Sequence, residues 1–384
     1  MREWTESIFF AVFAAAFIRM FLVEAYVIPT PSMEGSLMVG DFLFVSKTSY
    51  GIRTPMTIAM IPLLHNRIPG TNSESYLKKP SLDYHRLPAL EKISRNKPIV
   101  FNWPVGDSVY ITKSRSYTIG QVDREGPSYV NQDRELSSKI RKKDFVVRPV
   151  DKKDHYIKRC VAVPGDTLEI KDRQIYINGE PGVNPSQMQF LNKIDKRPPG
   201  GMPKVKLEKW GIGDTKSDIA GTYGYYITDI QREKLKSVGV ELSYHKVPND
   251  GTKLFPYDPV ITKGWTVDNY GPIWIPKAGT TIELTKETLP FYRRIIGVYE
   301  NNELQVKGGQ IIINGSPATS YTFKQDYYWA MGDNRHNSED SRMWGFVPHD
   351  HIVGKPLFIW FSTKNARLFD GIRFKRMFKS ANVD

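Results

Sequence analysis

Hydrophobic and polar positions change rhythm once, early in the chain. From Ile8 to Ile18 the run IFFAVFAAAFI carries no charge, and Met20–Val23 continue it beyond Arg19. Spanning a bilayer takes roughly 20 residues, so Thr5–Val23 suffices if Arg19 snorkels to the far interface. The run also fits the apolar region of a cleavable signal peptide, roughly 7–15 residues. The opening MREWTE sets one Arg against two Glu, which is not the basic cluster of a signal peptide. A retained anchor over residues 1–27 is therefore expected. Its orientation is weakly specified by charge. Beyond it the apolar runs shorten. DFLFVSK (Asp41–Lys47), PIVFNW (Pro98–Trp103), YIKRCVAV (Tyr156–Val163), RQIYING (Arg173–Gly179) and GQIIING (Gly309–Gly315) each read as a strand. Pro164-Gly165-Asp166 and Asn178-Gly179 mark turns between them. The pattern predicts a mainly β protein.

One stretch recurs. LEIKDRQIYINGEP (Leu168–Pro181) and LQVKGGQIIINGSP (Leu304–Pro317) agree at eight of fourteen positions. Two copies this far apart do not make a solenoid, so two similar hairpins are expected with a long insertion between them. Residues 51–97 form a second irregular stretch. They hold the apolar piece PMTIAMIPLL, which suits either a membrane surface or a loop tucked into the core.

Composition changes the picture little: 40% hydrophobic, 12% aromatic and 25% charged is a folded protein. Charge changes it more. A net +13 suits nucleic acid or an anionic membrane surface. No zinc-finger spacing, basic heptad helix or RNP-type aromatic block is present, which argues against nucleic acid. The single cysteine, Cys160, excludes an intrachain disulfide and a multi-cysteine metal site.

The chemistry starts at YVIPTPSMEGSLMVGD, residues 26–41, where Ser32 follows directly on the anchor. A serine needs a base to become a nucleophile. Seven histidines are present, including His336, and none lies in a recognisable triad motif. Lysine serves only if burial keeps it neutral, since its free pKa is about 10.4. Lys158, on the apolar strand YIKRCVAV, has such surroundings. Strand alternation puts Tyr156, Lys158 and Cys160 on one face and Ile157, Arg159 and Val161 on the other. A solvated Lys-Arg pair on a strand edge is the competing reading. Far downstream, MGDNRHNSEDSRMWGFVP (Met331–Pro348) crowds Asp333, Asn334, Arg335, Ser338, Asp340, Ser341 and Arg342 into ten residues. That cluster alone is equally compatible with a self-bonded polar turn.

PSMEGSLMVGD, PIVFNWP, YIKRCVAVPGDTLEI and GDNRHNSEDSRMWGFVP, in this order, resemble the motif boxes of bacterial type I signal peptidases. These are membrane-anchored Ser-Lys endopeptidases that remove signal peptides from exported preproteins. The resemblance implies an all-β catalytic core over residues 28–180 and 300–365, an inserted accessory domain over 181–299 and a basic tail over 366–384. It implies Ser32 as nucleophile and Lys158 as general base, with the Thr30 hydroxyl beside the Ser32 N–H as an oxyanion hole. Ser338 would orient the lysine, Asp340 and Arg342 would form a supporting ion pair, and Tyr156 and Ile157 would lie on the substrate-adjacent strand. Asp333, Asn334 and Arg335 would scaffold the loop. Cleavage would follow small residues at −1 and −3, Ala-x-Ala. No cofactor is implied. The partners would be preprotein signal peptides and the phospholipid membrane, with the catalytic part on the outer side of the cytoplasmic membrane. The commoner first box has Pro-Thr after S-M-x, where this chain has Gly35-Ser36, which puts the turn's geometry in question. Against this stand an inactive membrane-anchored scaffold and a self-cleaving repressor-type Ser-Lys protein, which would lack both the anchor and the GDNR box.

Overall fold

The computed structural model describes residues 2–202, 204–212, 216–219, 222–247, 253–367 and 370–382. The chain opens with helix α1 (Arg2–Phe21). Its span Glu3–Phe21 is long and apolar enough to cross a membrane, and none of it is buried inside the protein. After Leu22 alone, strand β1 (Val23–Val27) begins.

The central sheet has seven strands. In addition to β1 these are β2 (Asp41–Ser46), β3 (Lys97–Asn102), β4 (His155–Ala162), β5 (Tyr327–Met331), β6 (Val347–Pro348) and β7 (Ile352–Ser362). Their spatial order is β1-β2-β7-β3-β4-β5-β6, and every pairing is antiparallel. Ile99, Phe101, Cys160 and Ala330 from its inner strands and Val347 from the edge strand β6 share one apolar cluster with Trp344 and Ile352. A second cluster joins Ile28, Met33, Leu37 and Leu43 to Ile359 of β7. The strands foreseen at Asp41, Pro98 and Tyr156 thus lie in one sheet, with the first and last boxes around it.

The recurring stretches fold alike. Thr167–Lys171, Gln174–Ile177 and Glu180–Pro181 form one meander, and Leu304–Lys307, Gln310–Ile313 and Ser316–Pro317 form the other. Leu168 faces Ile177 in the first and Leu304 faces Ile313 in the second. In both, Asn-Gly takes positive φ, at Asn178 (55°) and Asn314 (52°), as a tight turn of primed type requires.

Two further units pack around cores of their own. Residues 190–244 form a four-stranded sheet with helices, around Leu207, Tyr225, Ile227, Leu235 and Leu242. His245 N donates to Leu191 O (2.9 Å), so this unit leaves the chain beside its entry. Residues 108–147 form a three-stranded sheet with short helices around Tyr110, Tyr117 and Leu136. Residues 254–299 behave differently: Leu254, Phe255, Tyr270, Ile273, Tyr292 and Ile296 share one cluster with Leu168, Ile170, Trp329 and Phe346. The 51–97 stretch is an irregular double strand tied by isolated bridges Thr57–Ser81, Met60–Tyr76 and Arg67–Glu74.

Candidate active site

Ser32 sits in a single helical turn, Pro31–Met33, entered from extended Thr30 (φ −130°, ψ 152°). Proline at the first position presets φ for the turn. Met33 and Leu37 are fully buried beneath it, each contributing about 1.5–3 kcal/mol of burial. The apolar positions of SMEGSLM therefore clamp the turn while Ser32 stays 8% exposed.

Lys158 reaches Ser32 from β4. Its Nζ lies 2.7 Å from Ser32 Oγ and donates also to the Ile157 carbonyl (3.0 Å). The residue is 3% exposed. Burial brings its pKa down to about 8, against the opposing pull of the Asp340, Glu339 and Asp333 carboxylates. Among the described residues no carboxylate comes within ion-pair distance of Lys158. Its neighbour has the opposite surroundings: Arg159, fully buried, donates to Asp333 through Nε (2.8 Å) and Nη2 (2.7 Å). The solvated Lys-Arg pair is absent.

The last box closes the site from the other side. Asn334 N donates to Ser32 O (3.1 Å), and Asn334 Nδ2 donates to Pro31 O (3.2 Å). Asp340 accepts from Gly332 N (3.1 Å) and pairs with Arg342 (2.8 Å) with both side chains buried. Burial works to raise the Asp340 carboxyl, but Arg342 and the Gly332 N–H hold it below its ordinary value. Arg342 in turn donates to Val267 O and Arg335 O. Ser338 does not bond the lysine here. Its buried hydroxyl sits beside the Asp340 carboxylate, which it helps hold below its ordinary pKa, and against Gly332, where a Cβ would stand 2.3 Å from it and 2.4 Å from Ser32 O. His336 faces away, with Nε2 2.8 Å from Asp268 Oδ1 and Nδ1 accepting from Leu191 N.

Beside Ser32 and Lys158 opens a cavity of about 250 Å³, walled mainly by apolar side chains including Ile28, Leu43, Val100 and Ile157. Thr30 and Tyr156 line it as well. The Thr30 side chain makes no capping bond. Trp103 stacks on Tyr156 at 5.1 Å.

Three supporting residues escaped sequence reasoning. Ser36 Oγ donates to Asp333 (2.6 Å), Gln189 bridges the 333–335 backbone, and Arg376 donates to Ser36 O (2.9 Å) while pairing with Asp41 (2.6 Å). Asn334 does more than scaffold its own loop, since it bonds the Pro31–Ser32 turn. Only Ser36, a hydroxyl in an otherwise apolar stretch, left a signal in sequence.

The family model described as signal peptidase, peptidase S26, matches residues 1–218 and 318–361. The chain belongs to this family. Relatives agree along nearly the whole chain. Signal peptidase I of Buchnera aphidicola (subsp. Acyrthosiphon pisum) is 25% identical over 374 residues, covering 96% of this chain and 79% of that protein. That of Haemophilus influenzae is 25% identical, covering 98% and 74%. That of Pseudomonas aeruginosa is 22% identical, covering 98% and 78%. This signal peptidase is thus a hydrolase, a serine protease of secretory signal peptides, with a mainly β core behind an N-terminal helix long and apolar enough to cross a membrane. Residues 219–317 lie outside the family match.

Proposed function

We propose that this signal peptidase cleaves through a Ser32–Lys158 dyad, after small residues at −1 and −3. The observation that carries the reading is the 2.7 Å separation of Nζ and Oγ in a buried setting where, among the described residues, no carboxylate pairs with the amine. The substrate's extended segment adds to the strand edges beside the cavity, so the −1 and −3 side chains enter the same face and −2 points out. Apolar walls from Ile28, Val100 and Ile157 suit small apolar side chains there.

Neutral Lys158 accepts the Ser32 proton as Oγ attacks the −1 carbonyl carbon. The carbonyl oxygen becomes an oxyanion, met by the Ser32 N–H and the Thr30 hydroxyl. One preorganised donor of this kind is worth about 3 kcal/mol. Collapse breaks the C–N bond, and the proton on Lys158 passes to the leaving amine. The acyl-enzyme is then hydrolysed by a water that Lys158 deprotonates. Ser338, Asp340 and Arg342 hold the loop behind the amine. The supporting observation for the last two is their buried ion pair.

In this reading α1 crosses the cytoplasmic membrane once and sets the site at the outer face, where signal peptides emerge and tethering raises effective concentration. Within residues 181–299, the unit with its own core, between Phe190 and Tyr244, serves as the accessory domain, whereas 254–299 joins the main core. The test uses the full chain in detergent with a preprotein carrying an Ala-x-Ala site. Ser32→Ala and Lys158→Ala should each abolish release of the mature protein. Cleavage that survives either change refutes the dyad, and a wild-type protein that cuts nothing favours the scaffold reading.

A further inference from the structure

A second cavity, of about 90 Å³, lies where the membrane helix meets the sheet. That is well above the roughly 10–15 Å³ that admits one water. One wall is the last turn of α1, Ala16, Arg19 and Met20, and the others bring in Lys47, Arg53 and Lys152. Four cations therefore face this space against two carboxylates, Glu24 and Asp151.

Both carboxylates already have partners. Glu24 pairs with Arg19 (2.7 Å) and Lys47 (2.8 Å) and accepts from Tyr26 Oη (2.6 Å). Asp151 accepts from Thr57 N (2.8 Å) and Thr57 Oγ1 (2.9 Å). Lys152 and Arg53 are left over. Among the described residues neither forms an ion pair. Arg53 donates to the Asp350 carbonyl and to Asn102 Oδ1. Lys152 is only 4% exposed, and among the described residues its hydrogen bond goes to Met60 Sδ (2.8 Å), with the Tyr76 ring 5.5 Å away. A thioether is a weak acceptor, and a buried ammonium without an anion costs several kcal/mol. His65 and His155, their rings 4.1 Å apart beside them, add no charge, since burial holds both below their ordinary pKa.

We propose that this cavity binds a phosphate group, taking it from the headgroup of an anionic phospholipid in the outer leaflet. Phosphate supplies the negative charge and oxygen acceptors that Lys152 and Arg53 lack, and the site lies at the level of the helix end, where headgroups sit. The loop between residues 55 and 64 forms its outer rim. Leu63 O accepts from Arg19, Met60 and Leu64 line the cavity, and Ile58, Ile61 and Leu63 are exposed. The apolar piece PMTIAMIPLL thereby gains a use as a collar against the acyl chains. The inference rests on the anchor reading of α1, but not on the dyad.

The test is native mass spectrometry and thermal unfolding of the full chain in a nonionic detergent. It is challenged separately with phosphatidylglycerol, with phosphatidylcholine of the same acyl chains, and with inorganic phosphate. Retention of one phosphatidylglycerol per chain and a rise in Tm are expected, with weaker binding of phosphatidylcholine. Lys152→Met should weaken phosphatidylglycerol binding about tenfold or more, and Arg53→Gln likewise, because a charge-assisted bond is worth about 1.5–3 kcal/mol. Lys152→Arg should retain it. Without ligand, Lys152→Met should unfold no lower than wild type, since it removes an unpaired buried charge. Equal stabilisation by inorganic phosphate would make free phosphate the source. Loss of the Tm rise from every anion, or wild-type binding by both variants, overturns the proposal. Cell fractionation tests the anchor separately: a chain found soluble that still binds phosphate overturns only the membrane source.

Discussion

Lys158 and Arg159 are adjacent cations on one strand, and alternation gives them opposite electrostatics. Arg159 meets Asp333 in a two-pronged pair, whereas Lys158 meets a hydroxyl and a carbonyl. A buried cation denied an anion gives up its proton more easily. With the pKa near 8, the amine is protonated and idle at lower pH. kcat/KM should therefore rise about tenfold per pH unit up to about pH 8 and then level off. A flat profile from pH 5 to 9 would contradict this. Lys158→Arg should be inactive at every pH, because a guanidinium stays charged. On the opposite face, Asp333→Asn leaves Arg159 buried without a counter-charge. It should cost about 3–5 kcal/mol in denaturant unfolding, far more than a surface pair would. Ser32 and Lys158 were legible because each stands in an ordered motif whose apolar neighbours announce burial. Ser36, Gln189 and Arg376 were not, because their partners lie between about 140 and 340 positions away and no local pattern encodes them.

At the scale of elements, two glycines explain how the boxes fit together. Gly35 takes φ +95°, and a Cβ there would stand 2.3 Å from Gln187 O. Proline, with φ near −65°, cannot adopt that turn. The departure from the commoner box thus matches a close approach of the 185–189 segment to the nucleophile's turn. Gly35→Ala should lower both stability, by at least about 1 kcal/mol, and cleavage rate. Gly332 is tighter still: its Cβ would press on Ser338 Oγ (2.3 Å) and Ser32 O (2.4 Å). A shift of the nucleophile by an ångström costs on the order of 10²-fold, so Gly332→Ala should lose kcat with KM little changed in steady-state assays. The strands of the central sheet and both hairpins were readable from apolar runs and Asn-Gly turns. The short helices were not foreseen. Arg134–Lys142 and Asp229–Lys236 are eight or nine residues long and owe their starts to caps, Asp133 and the Thr228–Gln231 box, rather than to long apolar periodicity. Reading those caps would have found them.

Across the whole molecule the cores are divided. The cluster of the 190–244 unit shares no residue with the clusters around Ser32 or beneath β3 to β5, and its two ends meet at Leu191 and His245. Excising 192–244 and joining the ends should leave a folded protein that still cleaves preprotein in detergent. Loss of all cleavage, with the unfolding transition intact, would show that the unit supplies part of the site. The 254–299 stretch is a poor target for the same operation, because Phe255, Tyr270 and Ile296 lie within the largest shared cluster. Composition set the two stretches in one loose tract, rich in Lys, Gly, Pro and Tyr. Only packing separates them, and packing between distant segments leaves no trace in a local window.

A single residue, Leu22, separates α1 from β1, and Lys47, just after β2, holds carbonyls of the helix's last turn, Arg19 O and Met20 O. The junction has no slack, so on the proposed reading the molecule works as a ruler whose zero is the bilayer surface and whose mark is the Ser32 oxygen. Cargo must bring its scissile bond to that mark. A signal peptide with too long an apolar stretch has to tilt, because the enzyme has no joint with which to follow it. Splicing a short Gly-Ser spacer after Phe21 should widen the range of signal lengths accepted and blunt the preference among them.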